Sequence, residues 1–165
     1  MRKALCCLFT VAAVGFIAQV WADEEKIDLS KLPKGVVETC KRRFPHAKIE
    51  GASQEKEDGK TVYEVTLKEN GKNIDVTFSS DGVMTLIEKE VDAKDVPKAV
   101  TEAVEGKYPK ATWKMIEEVI KVADGKEALD YYEFHGTTAD KKGIELEVTV
   151  DGKIKKEEKK DEKDK

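Results

Sequence analysis

Apolar residues recur along this chain with two alternating periods. Leu32, Val36, Val37, Cys40 and Phe44 fall at helical spacing, with Glu38, Lys41, Arg42 and Arg43 on the opposite side. Ser30 can cap this helix and Pro33 is tolerated in its first turn. Pro45 disfavours helical geometry at Phe44, so the helix should stop there. The period then changes to two. Lys48–Glu55 is a weak strand. In Thr61–Glu69, Tyr63, Val65 and Leu67 point one way and Glu64, Thr66 and Lys68 the other. In Asn73–Ser79, Ile74, Val76 and Phe78 oppose Asp75 and Thr77, and Val83–Glu90 is a fourth strand. Asp58-Gly59, Asn70-Gly71 and Asp81-Gly82 are hairpin turns between these runs.

The plan then repeats. Asp95 can cap a helix carrying Val96, Val100, Ala103, Val104 and Tyr108, with Gly106 weakening its last turn. Strands are expected at Ala111–Ala123, Leu129–His135, Ile144–Val150 and Lys153–Glu157, with turns at Asp124-Gly125 and Asp151-Gly152. A polar loop, Gly136–Gly143, replaces the tight Asn70-Gly71 turn. Leu32-Pro33-Lys34-Gly35-Val36 and Phe44-Pro45-His46-Ala47 return as Val96-Pro97-Lys98-Ala99-Val100 and Tyr108-Pro109-Lys110-Ala111, always 64 residues on. A fixed offset of this kind is the mark of a duplicated unit. The expected fold is therefore α+β: two tandem αββββ repeats, residues 23–91 and 92–157, each a helix packed on an antiparallel meander. Residues 158–165 carry no apolar side chain and are expected to be a disordered tail.

The first 22 residues change the compartment. Arg2 and Lys3 precede an uncharged apolar run from Ala4 to Val20, and Val20-Trp21-Ala22 offers a small residue for cleavage before an acidic stretch. This reads as a secretory signal peptide, because the run falls short of a full membrane span. Cys6 and Cys7 lie too early in it for a lipoprotein cysteine. Without Arg2 and Lys3 the formal charge moves from −4 to −6. A highly charged, net acidic chain does not suit nucleic acid or an anionic membrane. Cys40 is then the sole cysteine, so no internal disulfide can form. It takes the position of Val104 on the helix's core face and reads as a buried thiol, with an intermolecular disulfide as the other reading.

The repeated Leu-Pro/Val-Pro helix starts, the closing Phe-Pro/Tyr-Pro and the Asn-Gly and Asp-Gly hairpins make residues 32–157 resemble the PepSY-like family of exported bacterial proteins, related in fold to the β-lactamase inhibitory protein. The resemblance implies a periplasmic or secreted, non-enzymatic protein that binds another protein. Relatives include peptidase propeptides and an enzyme inhibitor. The inhibitor's disulfides have no counterpart here.

Function must then lie on the sheet. Alternation places Glu64, Asp75, Glu133, His135, Glu145 and Glu147 on one polar face, with Thr66, Thr77 and Thr149, where a basic patch of a partner could dock. The same pattern is also the ordinary wet face of an antiparallel sheet. Tyr131 is expected on this face, whereas Trp113 and Tyr132 read as core. The Gly136–Gly143 loop is a second candidate contact. His46 reads as a surface residue. Two isolated histidines without a cysteine cluster do not make a zinc site, and no loop carries the acids of a calcium site. No cofactor is expected, and no nucleophile stands with a base in a recognisable motif. The leading expectation is a non-enzymatic binder of an envelope or secreted protein, inhibition being one form such binding would take. The alternative is a small-ligand or divalent-cation binding protein of the envelope.

Overall fold

In the computed structural model, which describes residues 25–57 and 59–160, the chain forms one nine-stranded antiparallel sheet and two α-helices. The expected signal peptide, and the tail beyond Lys160, lie outside the described residues. A short strand, β1 (Glu25–Lys26), leads into α1 (Lys34–Arg43) and then β2 (Lys48–Glu57), β3 (Lys60–Glu69), β4 (Lys72–Ser79) and β5 (Met84–Glu90). After α2 (Lys98–Lys107) come β6 (Thr112–Ala123), β7 (Lys126–Thr137), β8 (Gly143–Thr149) and β9 (Ile154–Lys160). Strand order in the sheet is chain order, and every neighbouring pair is antiparallel. The two meanders join through β5 and β6, where Ile87 faces Ile120 and Glu88 faces Val119. Edge-to-edge union removes two open strand edges. Arg43 on α1 strengthens the seam by donating to both carboxylate oxygens of Glu127 on β7.

Both helices cover the same face. Val36 and Cys40 of α1 pack on Val65, Leu67, Ile74, Val76, Phe78 and Ile87. Val100 and Val104 of α2 pack on Ile116, Tyr132, Phe134, Leu146 and Val148. Burying one such aliphatic side chain contributes about 2 kcal/mol, and this layer holds the described residues, whose single cysteine, Cys40, is free.

Four local expectations are corrected. Neither helix has a side-chain cap: Pro33 and Pro97 occupy the capping positions, and their carbonyls accept from Val36 and Val100. Ser30 and Asp95 instead lie in single 3-10 turns, Leu29–Lys31 and Ala93–Asp95, the first capped by Asp28. The stretch ahead of the first helix, where no strand is expected, contains β1, because Ile27 is buried and its amide donates to Ala52, drawing Glu25–Lys26 onto the edge of β2. The last strand passes the expected end at Glu157, since Glu158, Lys159 and Lys160 pair with Glu145, Ile144 and Gly143. Backbone pairing along an open edge needs no apolar side chain. Finally, Gly136 and Thr137 belong to β7, so the expected long loop is a shorter turn held by Thr138, which hydrogen-bonds Asp140 and Lys142.

The helix ends follow the proline rule. Phe44 and Tyr108, each before a proline, leave helical geometry at φ −123° and −130°. The Asn70-Gly71 and Asp124-Gly125 hairpins adopt paired positive φ angles, the conformation that favours those residue types.

Candidate functional site: the acidic face of the sheet

The sheet face opposite the helices carries the polar residues, and cross-strand register decides which of them meet. One row runs Thr66, Asp75, Glu88, Val119, Tyr131, Thr149 from β3 to β8. The next runs Glu90, Glu117, Glu133, Glu147, Lys156 from β5 to β9. A third places His135 between Met115 and Glu145. Of the sequence-predicted residues, Asp75, Tyr131, Glu133, His135, Glu145 and Glu147 are brought into adjoining rows. Glu64, opposite Thr77, lies one step outside them. No described helix covers this face, yet Glu117 and Glu133 are only 5% and 7% exposed. Their own neighbours in the face enclose them.

Glu88 and Glu117 were missed by the pattern. In β6, Trp113 faces Gly136 but Met115 faces His135, so Lys114 is a bulge. In β7, Tyr131 and Leu129 face consecutive residues of β6, so Asp130 is a second one. Each extra residue shifts the alternation, and only the register shows that Glu117 and Val119 lie on the polar face.

The centre of the face gathers more carboxyl groups than basic ones among the described residues. Glu117 stands directly opposite Glu133, and Glu133 opposite Glu147. Like charges at such positions repel. Among the described residues, the basic side chain set between these buried acids is His135. Its Nε2 lies 3.2 Å from Glu117 Oε2 and 3.8 Å from Glu133 Oε1, and its Nδ1 3.9 Å from Glu145 Oε2. Among the described residues, no lysine or arginine forms an ion pair with Glu88, Glu117 or Glu133. The β9 border differs: Lys155 and Lys156 reach Glu147 at 3.6 and 3.9 Å.

Titration follows from these surroundings. Burial, then the charges of Glu117 and Asp75, push Glu88 up to about 7. Burial and the hydrogen bond shared with Glu145 push Glu133 up to about 8, against the pull of His135. Hydrogen bonding to Glu117 raises His135, against the effect of its burial. The face therefore holds protons near neutral pH, an arrangement found at functional sites more than elsewhere.

The aromatic side chains divide as expected. Tyr132 is buried among the core residues, and its hydroxyl donates to Glu118. Trp113 meets Phe134 edge-on at 5.3 Å and Tyr108 at 6.5 Å. Tyr131 is half-buried on the acidic face, where Lys155 Nζ sits 3.9 Å from its ring centroid. Burial and the charge of Glu147 push its hydroxyl well above the usual tyrosine range. Cys40 is 1% exposed and burial pushes its thiol up to about 11. His46 is exposed, away from the acidic face.

Residues 61–156, more than half of the chain, match the profile of the family described as beta-lactamase-inhibitor-like, PepSY-like. The chain belongs to the PepSY-like family. A second profile, the peptidase propeptide and YPEB domain, matches residues 35–79 of this PepSY-like chain. No curated protein sequence matches it. Several solved structures share the fold at low identity. A DUF2874 family protein from Bacteroides uniformis is 17% identical with a TM-score of 0.61, covering 78% of this chain and 89% of its own. A BLIP-like protein from Bacteroides fragilis is 16% identical with a TM-score of 0.56, over 78% and 87% of the two chains. A Bacteroides eggerthii protein named as a candidate periplasmic protein is 15% identical with a TM-score of 0.62, over 77% and 88%. At these identities the PepSY-like likeness is one of fold. Among the described residues, no helix is long and apolar enough to cross a membrane.

Proposed function

We propose that this chain is an exported, non-enzymatic PepSY-like protein that binds another protein of the envelope or exterior through the acidic face of its sheet. The observation that carries the reading is the pair of adjoining acidic rows on a face no described helix covers. A surface of one sign steers a partner of the other and gives its association a strong salt dependence. The family description, which names β-lactamase inhibitors, and the BLIP-like structure from Bacteroides fragilis support a protein-binding role. The Bacteroides eggerthii structure and the apolar run before Asp23 support an address outside the cytoplasm. The two halves are read as copies of one αββββ unit, 23–91 and 92–157. Bulges at Glu50 in β2 and Lys114 in β6, again 64 residues apart, support this.

The test uses the chain from Asp23 onward as immobilised bait for an envelope extract at low salt, eluted stepwise with salt. The expected result is one dominant protein released by salt, and its loss when Glu64, Asp75 and Glu147 are together changed to Lys. Those three lie around the buried centre rather than within it. Undiminished capture by the folded triple variant would exclude the acidic face.

A further inference from the structure

We propose that Glu117, Glu133 and His135 form a binding site for one divalent transition-metal ion of the zinc type. The proposal stands apart from the partner-binding reading and needs no second protein. One ligand atom from each of these residues lies within 4.8 Å of the others. The nitrogen that both carboxylates face is Nε2, at 3.2 Å from Glu117 and 3.8 Å from Glu133. In a tetrahedral site with bonds of about 2.1 Å, neighbouring ligand atoms are about 3.4 Å apart. The two observed distances straddle that value, and the carboxylate ligand atoms lie within 4.8 Å of each other.

Three further features point to a cation rather than to a merely wet sheet face. First, both glutamates are more than nine-tenths buried, and the one basic group that serves them both is His135, with no described lysine or arginine paired to either. Buried carboxylates are normally paired or bound to a metal. Second, the other nitrogen of His135, Nδ1, faces Glu145 at 3.9 Å. A metal-bound histidine commonly gives its second N–H to a carboxylate, which fixes the tautomer and ring orientation. Glu145 would thus be a positioning residue rather than a ligand. Third, β6 and β7 are paired strands of one sheet, so the three side chains stand on a rigid scaffold.

The ligand chemistry selects the metal class. An imidazole with two carboxylates suits zinc and its transition-metal neighbours. Calcium prefers six to eight oxygen ligands and magnesium keeps its waters, so neither suits this set. Three protein ligands leave a position for water.

The test is calorimetric titration of zinc chloride into the chelator-treated chain from Asp23 onward. We expect one saturable site, unaffected by millimolar calcium or magnesium. His135→Ala should weaken binding at least about 100-fold. Glu145→Gln should weaken it about 10- to 100-fold, as loss of an outer-shell carboxylate does. His46→Ala should leave it unchanged. Because His135→Ala leaves two buried carboxylates without a cation and can unfold the chain, the wild-type protein supplies a second readout. Zinc should shift the imidazole NMR signals of His135 and leave those of His46 in place. Absence of saturable zinc binding, or stoichiometric binding that leaves the His135 signals unmoved, would overturn the proposal.

Discussion

Replacing Glu88 by Gln should make this protein more stable, and only when the pH is above the ordinary carboxylate range. Glu88 stands between Asp75 and Val119 on the acidic face. Burial, with Glu117 and Asp75 nearby, raises it from 4.5 to about 7. The folded state therefore binds a proton at pH 6 that the unfolded chain has released. Where the native state binds more protons, stability falls as pH rises. Below about 4.5 both states are protonated and Glu88 costs nothing. Between 4.5 and about 7 the penalty grows, and above that it is complete. At about 1.4 kcal/mol per pH unit of the gap, the ionised side chain costs the fold about 3 kcal/mol. Glutamine mimics the protonated carboxyl without that penalty. Urea denaturation in the presence of a chelator, which removes any metal from the neighbouring site, reads this directly. At pH 4 the two proteins should unfold at nearly the same urea concentration. At pH 8 the variant's midpoint should be higher by about 1–3 M, given urea slopes of about 1–3 kcal/mol per M. Equal midpoints at pH 8, or a variant weaker at both pH values, would refute the account of a desolvated, like-charged Glu88.

Other expectations test the packing. Gly136→Ala should lower stability by about 2–3 kcal/mol in the same assay, because the new Cβ would collide with the Thr112 carbonyl oxygen and lie 2.6 Å from a carbon of Trp113. Phe134→Ala should cost about 3–5 kcal/mol and shift the emission of Trp113, the only tryptophan from Asp23 onward, since the two rings meet edge-on in the core. Cys40 should resist a thiol reagent in native buffer at pH 8 and react once urea unfolds the chain, because burial keeps the thiol protonated. Rapid native labelling would show that α1 leaves its sheet. Cys40→Val should be tolerated, with a melting temperature close to that of the wild type, since Val104 fills the corresponding place on α2.

Much of the element order was legible because its causes are local. Helical spacing in Leu32–Phe44, the prolines after Phe44 and Tyr108, and the Asn70-Gly71 and Asp124-Gly125 turns each act within a few residues of chain. Alternation in β3, β4 and β8 likewise placed Glu64, Asp75, Glu145 and Glu147 on the polar face, and the same rule held for Glu133 and His135 in the outer half of β7. It failed in β6, where the Lys114 bulge breaks the period, and it assigned no face to β5. Glu88 and Glu117, which dominate the centre of the face, were lost for that reason. The missing helix caps reflect a weaker rule: Ser30 and Asp95 are good capping residues, but the 3-10 turns use the chain before each helix and leave the prolines at its start.

The sequence by itself therefore determined the periods, the turns, the apolar layer under each helix and the acidic character of the exposed face. Those depend on backbone preferences and on which side chains water rejects. Tertiary structure alone decided that β5 pairs with β6 to merge two meanders into one sheet, and that Glu117, Glu133 and His135 converge. Both are matters of strand register between segments that are not adjacent in a repeat pattern, and a shift of one residue would turn each of those side chains to the opposite face. It also decided how strongly the acids are buried, and hence which of them keep a proton at neutral pH, because desolvation depends on the neighbours that pairing brings together.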